Sequence, residues 1–135
     1  DCGNRFDIHP KNKQPIGIRM ALSARQHVYG EAVQGDAPIA VEMKVQDKQI
    51  CIRFDNAVSL HLEGQEFQEL EIYTGEEKCE ITGWSVNEDT LTVFIKEAII
   101  SNEITAVFAQ TPYYQVSLFN ENGLPAFPFI LQKRR

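Results

Sequence analysis

The chain has 135 residues, 43% of them apolar and 24% charged, a balance that fits a folded globular domain and excludes a disordered or low-complexity polymer. Its formal net charge of −6 and pI near 5.0 argue against nucleic acid or an anionic membrane as a general partner, because both demand clustered Lys and Arg. No apolar run approaches the ~18 residues of a transmembrane helix, and Asp1-Cys2-Gly3-Asn4-Arg5 lacks the charged-then-apolar pattern of a signal peptide.

Residues 1–9 show no periodicity and read as irregular chain. Within them, Asp7-Ile8-His9-Pro10 is the one place where an acid, an imidazole and a helix start adjoin. Asn12 is the expected N-cap. Pro15 then falls at the third helical position, where its missing N–H has no intrahelical partner to lose. Ile18, Ala21, Leu22, Arg25, Val28 and Tyr29 recur at three- and four-residue spacing and predict one amphipathic helix, stopped by Gly30. Gly17 inside it costs about 1 kcal/mol relative to Ala, which points to close packing at that position. A helix of this kind needs a surface to cover, and part of that surface is expected to lie outside the chain. The basic residues Lys11, Lys13, Arg19 and Arg25 read as a solvated helix face, and Lys133-Arg134-Arg135 as a charged tail.

Glu31 to Pro38, containing Gly35-Asp36, reads as a linker and the boundary between residues 1–30 and 31–135. Beyond it the period becomes two. Ile39, Val41, Met43 and Val45 alternate with polar or small residues, Asp47-Lys48 turns the chain, and Ile50, Ile52 and Phe54 alternate back as a hairpin. Val58–Leu62, Leu70–Tyr73 and Cys79–Val86 are further expected strands, with turns at Thr74–Glu77 and Asn87-Glu88-Asp89. Leu91, Val93 and Ile95 alternate next, then Ile104, Ala106 and Phe108. Val116, Leu118 and the segment from Phe119 to Pro128, with a turn at Asn122-Gly123, close the domain. About eight short strands joined by turns predict an antiparallel β-sandwich, jelly-roll-like, behind a single helix.

The cysteines Cys2, Cys51 and Cys79 are odd in number and contain no C-x-x-C pair, so neither a disulfide framework nor a zinc site is indicated. A Cys51–Cys79 bridge and free thiols both remain open. His9, two residues after Asp7, can be a general base steadied by a carboxylate, or a solvated loop histidine. His27 and His61 stand on separate elements, so the histidines make no metal site. Ser23, Ser59, Ser85, Ser101 and Ser117 lie in no G-x-S-x-G elbow and no Gly-Asp-Ser or Gly-Gln-Ser turn. P-loop, dinucleotide and zincin motifs are missing as well, which predicts no cofactor and no metal. Read alone, the chain is catalytically incomplete. Trp84, Tyr113 and Tyr114 could form a sugar-stacking platform, or serve as core and rim aromatics.

The block Asp7-Ile8-His9-Pro10-Lys11-Asn12-Lys13-Gln14, followed by Gly17, Arg19 and Ala21-Leu22 and ending at Tyr29-Gly30, strongly resembles the sialate O-acetylesterase family, carbohydrate esterases of the SGNH-hydrolase superfamily. Ser117-Leu118-Phe119-Asn120-Glu121-Asn122-Gly123-Leu124-Pro125-Ala126-Phe127-Pro128-Phe129 is similar to the closing segment of the same family. Residues 31–116 match it only as a β-rich stretch of suitable length.

The resemblance implies a serine-type hydrolase of acetylated sugars, notably sialate 9-O-acetyl esters, whose nucleophile belongs to an N-terminal SGNH region absent here. It implies that residues 1–30 are the last loop and helix of that esterase domain and that 31–135 are its β-sandwich. His9 would be the catalytic histidine. The superfamily usually places the acid three residues before it, which is Phe6 here, so Asp7 is the expected partner, with Asp1 as the alternative. It also implies a periplasmic or secreted location. By itself the fragment would be inactive. The competing expectation is a non-catalytic sandwich that binds carbohydrate or braces its neighbour.

Overall fold

A strand that alternates apolar and polar residues must lay one face on something, and two such sheets laid together satisfy both. A computed structural model describes residues 2–3, 5–7, 9–64, 67, 69–99, 102–113 and 115–134. It contains helix α1 (Gln14–His27) and strands β1 (Ile39–Gln46), β2 (Gln49–Asp55), β3 (His61–Leu62), β4 (Leu70–Thr74), β5 (Glu77–Lys78), β6 (Ile81–Asn87), β7 (Thr90–Ile95), β8 (Glu103–Phe108), β9 (Leu118–Phe119) and β10 (Phe129–Arg134). One four-stranded sheet runs β1-β2-β7-β6, a second runs β10-β8-β4-β5, and β3 pairs with β9 alone. The pairings are antiparallel throughout. The expected sandwich behind one helix is what forms.

Ile50, Ile52, Leu91 and Val93 from the first sheet and Ile72, Ile104, Ala106 and Phe108 from the second have no solvent exposure and belong to one core. Phe129 ties the layers together. Its ring stacks on Phe108 with centroids 5.2 Å apart and meets Phe54 edge-on at 5.8 Å. The hairpin turns fall where the sequence puts them. Asp47 and Glu88 take left-handed φ angles of 51° and 52° at the head of two-residue connections, a conformation that residues without β-branching tolerate better than β-branched ones.

Several expectations are corrected. In β1 a bulge between Ala40 and Glu42 changes the phase of the alternation. Ala40 and Met43 are buried and Val45 packs against the core, while Ile39 and Val41 are exposed. A second bulge in β6, between Ile81 and Gly83, sets Trp84 opposite Val93 and Val86 opposite Leu91, and directly opposed residues share a face. The expected strand Val58–Leu62 shrinks to β3. Its first amides are diverted, for Val58 and Ser59 donate to the Glu121 carboxylate and Leu60 donates to the Glu88 carbonyl. Lys133 and Arg134, read as part of a charged tail, belong to a strand: β10 pairs with β8 along its whole length and forms a sheet edge, and Arg135 lies outside the described residues.

Candidate functional site

The approach to α1 is built from side chain–backbone hydrogen bonds. Asn12 Oδ1 accepts the Gln14 N–H at 3.1 Å, so Asn12 does bond the first turn. The residue in the N-cap position is Lys13, one place later than expected, and its side chain makes no cap. Pro15 is accordingly the second helical residue, not the third, and still lies in the turn that tolerates it. Asp7 uses the same device two residues before His9. Its Oδ1 accepts the His9 backbone N–H at 2.9 Å and lies 3.5 Å from His9 Nδ1.

One carboxylate oxygen thus anchors the loop and sits on the Nδ1 side of the ring, leaving Nε2 as the outward nitrogen. The His9 side chain is 84% exposed and that of Asp7 49%. The imidazole is neither in the sandwich core nor walled in, so a reacting group can reach it. Phe6, three residues before His9, is exposed with the Arg5 guanidinium 6.0 Å from its ring centre. Asp1, the alternative acid, lies outside the described residues.

The helix itself contributes no buried residue. Of the predicted stripe, Ile18, Ala21, Val28 and Tyr29 are exposed and Leu22 is half-buried, while Ile16 and Met20, outside that stripe, are exposed as well. Gly17 has open space around it, contrary to the close packing its sequence position suggested. The tight contact is at Gly35, where an added Cβ would stand 2.5 Å from the Leu22 carbonyl oxygen.

Polar groups at the C-terminal end hold the helix down. Asp36 accepts from Gln26 Nε2 through Oδ2 at 3.1 Å and lies 2.8 Å from His27 Nε2 through Oδ1. The Gly35 N–H donates to Gln26 Oε1, and Arg25 pairs with Glu31 at 2.7 Å. Below them, fully buried Asn120 donates through Nδ2 to the carbonyls of Asp36 at 3.2 Å and Asn56 at 3.0 Å. Its Oδ1 accepts the N–H groups of Asn122 and Leu124. Sequence reading passed over Asp36 and Asn120, because Gly-Asp reads as a linker turn and Asn120 as one polar residue in a closing loop.

The other candidates do not converge. His61 stacks on Phe119 with centroids 6.0 Å apart and lies 3.5 Å from Glu63, its side chain 43% exposed. Trp84, 38% exposed, meets Phe67 edge-on at 5.7 Å and caps the rim of the core. Tyr113 is exposed on a separate loop, and Tyr114 lies outside the described residues. Among the described residues Cys2, Cys51 and Cys79 form no disulfide, and Cys51 lies near Thr92 and Cys79 near Thr74. Among the described residues no cluster of His, Cys, Asp or Glu is arranged to hold a metal, and no helix is long and apolar enough to cross a membrane.

The chain matches no family model. It is 25% identical to the sialate O-acetylesterase of Mus musculus over 135 aligned positions, covering 93% of this chain. This chain is similar to a sialate O-acetylesterase. The match takes in 25% of the mouse protein, so the chain spans about a quarter of the length of that relative. The crystal structure of a carbohydrate acetylesterase from Xanthomonas citri superposes with a TM-score of 0.73 at 24% identity, over 97% of this chain and 31% of that one, which shows a shared fold. The two terminal motifs that resemble the sialate O-acetylesterase family thus belong to a chain alike along nearly its whole length. That likeness extends through the β-rich middle, where no motif had been legible.

Proposed function

We propose that this chain is the histidine-bearing C-terminal part of a carbohydrate O-acetylesterase, with His9 as general base and acid and Asp7 as its orienting carboxylate. The observation that carries the reading is the open His9 ring at the mouth of α1, backed on its Nδ1 side by Asp7 at 3.5 Å. Sialate O-acetyl esters are the substrates to try first, because the mouse relative is named for that activity.

In this reading an upstream serine hydroxyl attacks the acetyl carbonyl carbon while His9 Nε2 takes its proton. The tetrahedral intermediate then expels the sugar oxygen, which receives that proton from His9, and the acetyl group stays on the serine. Water, deprotonated by the same nitrogen, attacks the acyl carbon, and the second tetrahedral intermediate expels the serine oxygen, which takes that proton back from His9 as acetate leaves. Asp7, 3.5 Å from Nδ1, would orient the ring and stabilise the imidazolium formed twice per cycle. The bare apolar face of α1 supports the same arrangement, since it is the surface an esterase core would cover. The sandwich braces that helix. A sugar-gripping role for the sandwich has less support, because Trp84 spends its ring on Phe67.

The test is hydrolysis of an aryl acetate and of an O-acetylated sialoside. The isolated chain is expected to be inactive, the complete esterase active, and His9→Ala to remove that activity by about 1,000-fold or more. Turnover by the isolated chain, or an active His9→Ala enzyme, would overturn the assignment.

A further inference from the structure

We infer that Asp36 is a positioning residue for His9, acting through α1 as the latch that sets the helix against the sandwich; the link to His9 rests on the proposed function. No helical side chain is fully buried and Leu22 is the one large aliphatic side chain of the helix that is half-buried, so apolar packing alone fixes its direction weakly. Asp36 fixes it from both of its ends. Its main-chain carbonyl is held by Asn120, which has no solvent exposure and is itself tied to Asn56, Asn122 and Leu124. Its carboxylate meets two consecutive helical residues, His27 Nε2 at 2.8 Å and Gln26 Nε2 at 3.1 Å. Gly35 beside it lets the linker lie against the Leu22 carbonyl, where any side chain would collide. One residue is therefore rooted in the core and grips the helix.

The lever is long. Fourteen residues at about 1.5 Å rise make α1 about 21 Å from the latch to its first turn, with His9 beyond that end. A tilt of about 5° at the latch moves the far end by about 2 Å by simple geometry on that length. A misplacement of about 1 Å in a catalytic group can cost about 100-fold in rate. The residue need not approach the substrate to set where the imidazole stands.

Two measurements test this. In the isolated chain, residual dipolar couplings report the direction of α1 relative to the sandwich. One alignment tensor should fit both in the wild type, and the helix should need its own tensor in Asp36→Ala and, more mildly, in Gln26→Ala, a partly buried helix position whose loss leaves the core intact. In the complete esterase, Asp36→Ala should lower kcat by at least about 10-fold with KM within about twofold, and Asp36→Asn, which keeps one acceptor oxygen, should recover part of the loss.

A common tensor in Asp36→Ala and Gln26→Ala overturns the latch. So does an unchanged kcat in an enzyme that His9→Ala has silenced. If His9→Ala leaves full activity, the esterase role fails by itself and the link to His9 falls with it, while the couplings still decide whether Asp36 holds the helix.

Discussion

Asn120 Nδ2 donates to the Asp36 carbonyl oxygen at 3.2 Å, across 84 positions of sequence. A primary amide offers two donors and a two-lone-pair acceptor, and at Asn120 four backbone groups use them. Replacement by Ala leaves the Asn56 carbonyl and the Asn122 and Leu124 N–H groups short of a partner where the side chain was fully buried, while the Asp36 carbonyl keeps Gln34 Nε2 at 3.4 Å. Each orphaned group costs about 1–3 kcal/mol, and water entering the space recovers part of that, so Asn120→Ala should lose about 3 kcal/mol. The urea midpoint of the chain, followed by Trp84 fluorescence, checks it.

Two glycines should respond with opposite sign. Gly17→Ala adds a methyl group to open space in a helix interior, and should stabilise the chain by about 0.5–1 kcal/mol through lower backbone entropy in the unfolded state. Gly35→Ala drives its Cβ to 2.5 Å from the Leu22 carbonyl oxygen and 2.7 Å from the carbon, both backbone atoms with little freedom. The strain should cost about 1–3 kcal/mol. Thermal melts of the two variants should move to opposite sides of the wild type, and a shift in one direction for both would contradict the packing described.

Glu121 should give the turn at residues 121–123 an acid sensitivity. Burial alone would raise its pKa, but N–H groups of its own residue, Ser59 and Val58 outweigh that, helped by nearby His61, and hold the carboxyl below its ordinary 4.5. A depressed folded-state pKa stabilises the fold above pH 4.5, and the contribution disappears as pH falls through the folded value. Glu121→Gln keeps an acceptor for Val58 and Ser59 but cannot titrate. Between about pH 5 and pH 3 the wild-type urea midpoint should fall more steeply than that of the variant.

The last strand should be indispensable. Phe129→Ala removes the ring that stacks on Phe108 and meets Phe54, and should cost about 3–5 kcal/mol. Ile130→Ala, one residue on and facing solvent, should cost less than about 1 kcal/mol. Chemical denaturation of the pair tests whether β10 belongs to the core or merely trails from it.

The hairpins were legible because their signals are local. Asp47-Lys48, Glu88-Asp89 and Asn122-Gly123 carry turn chemistry between alternating runs, and each turns the chain as read. The bulges in β1 and β6 were not legible. A bulge is defined by the partner strand, and β1 carries apolar residues in both phases, with Ile39 and Val41 in one and Ala40 in the other. Strand β10 was hidden by Lys133 and Arg134, charges that suit an edge strand but read as a tail. At the site, Asp7 and His9 stand within two residues and could be paired on paper. Asp36 and Asn120 could not, because a contact spanning 84 positions leaves no trace in a linear pattern.

Sheet edges invite stray strands to add on, and here each edge is guarded. Lys133 Nζ reaches across to the Met43 carbonyl at 3.1 Å, so β10 and β1 screen one another. On the opposite flank β6 is kinked by its bulge, and β5 is two residues long with Glu77 and Lys78 on it. Intermolecular β-pairing therefore has no long, flat row of free amides to start from among the described strands. Self-association of the purified chain, if it occurs, will proceed through α1 and will yield to detergent or to a charged substitution at Met20.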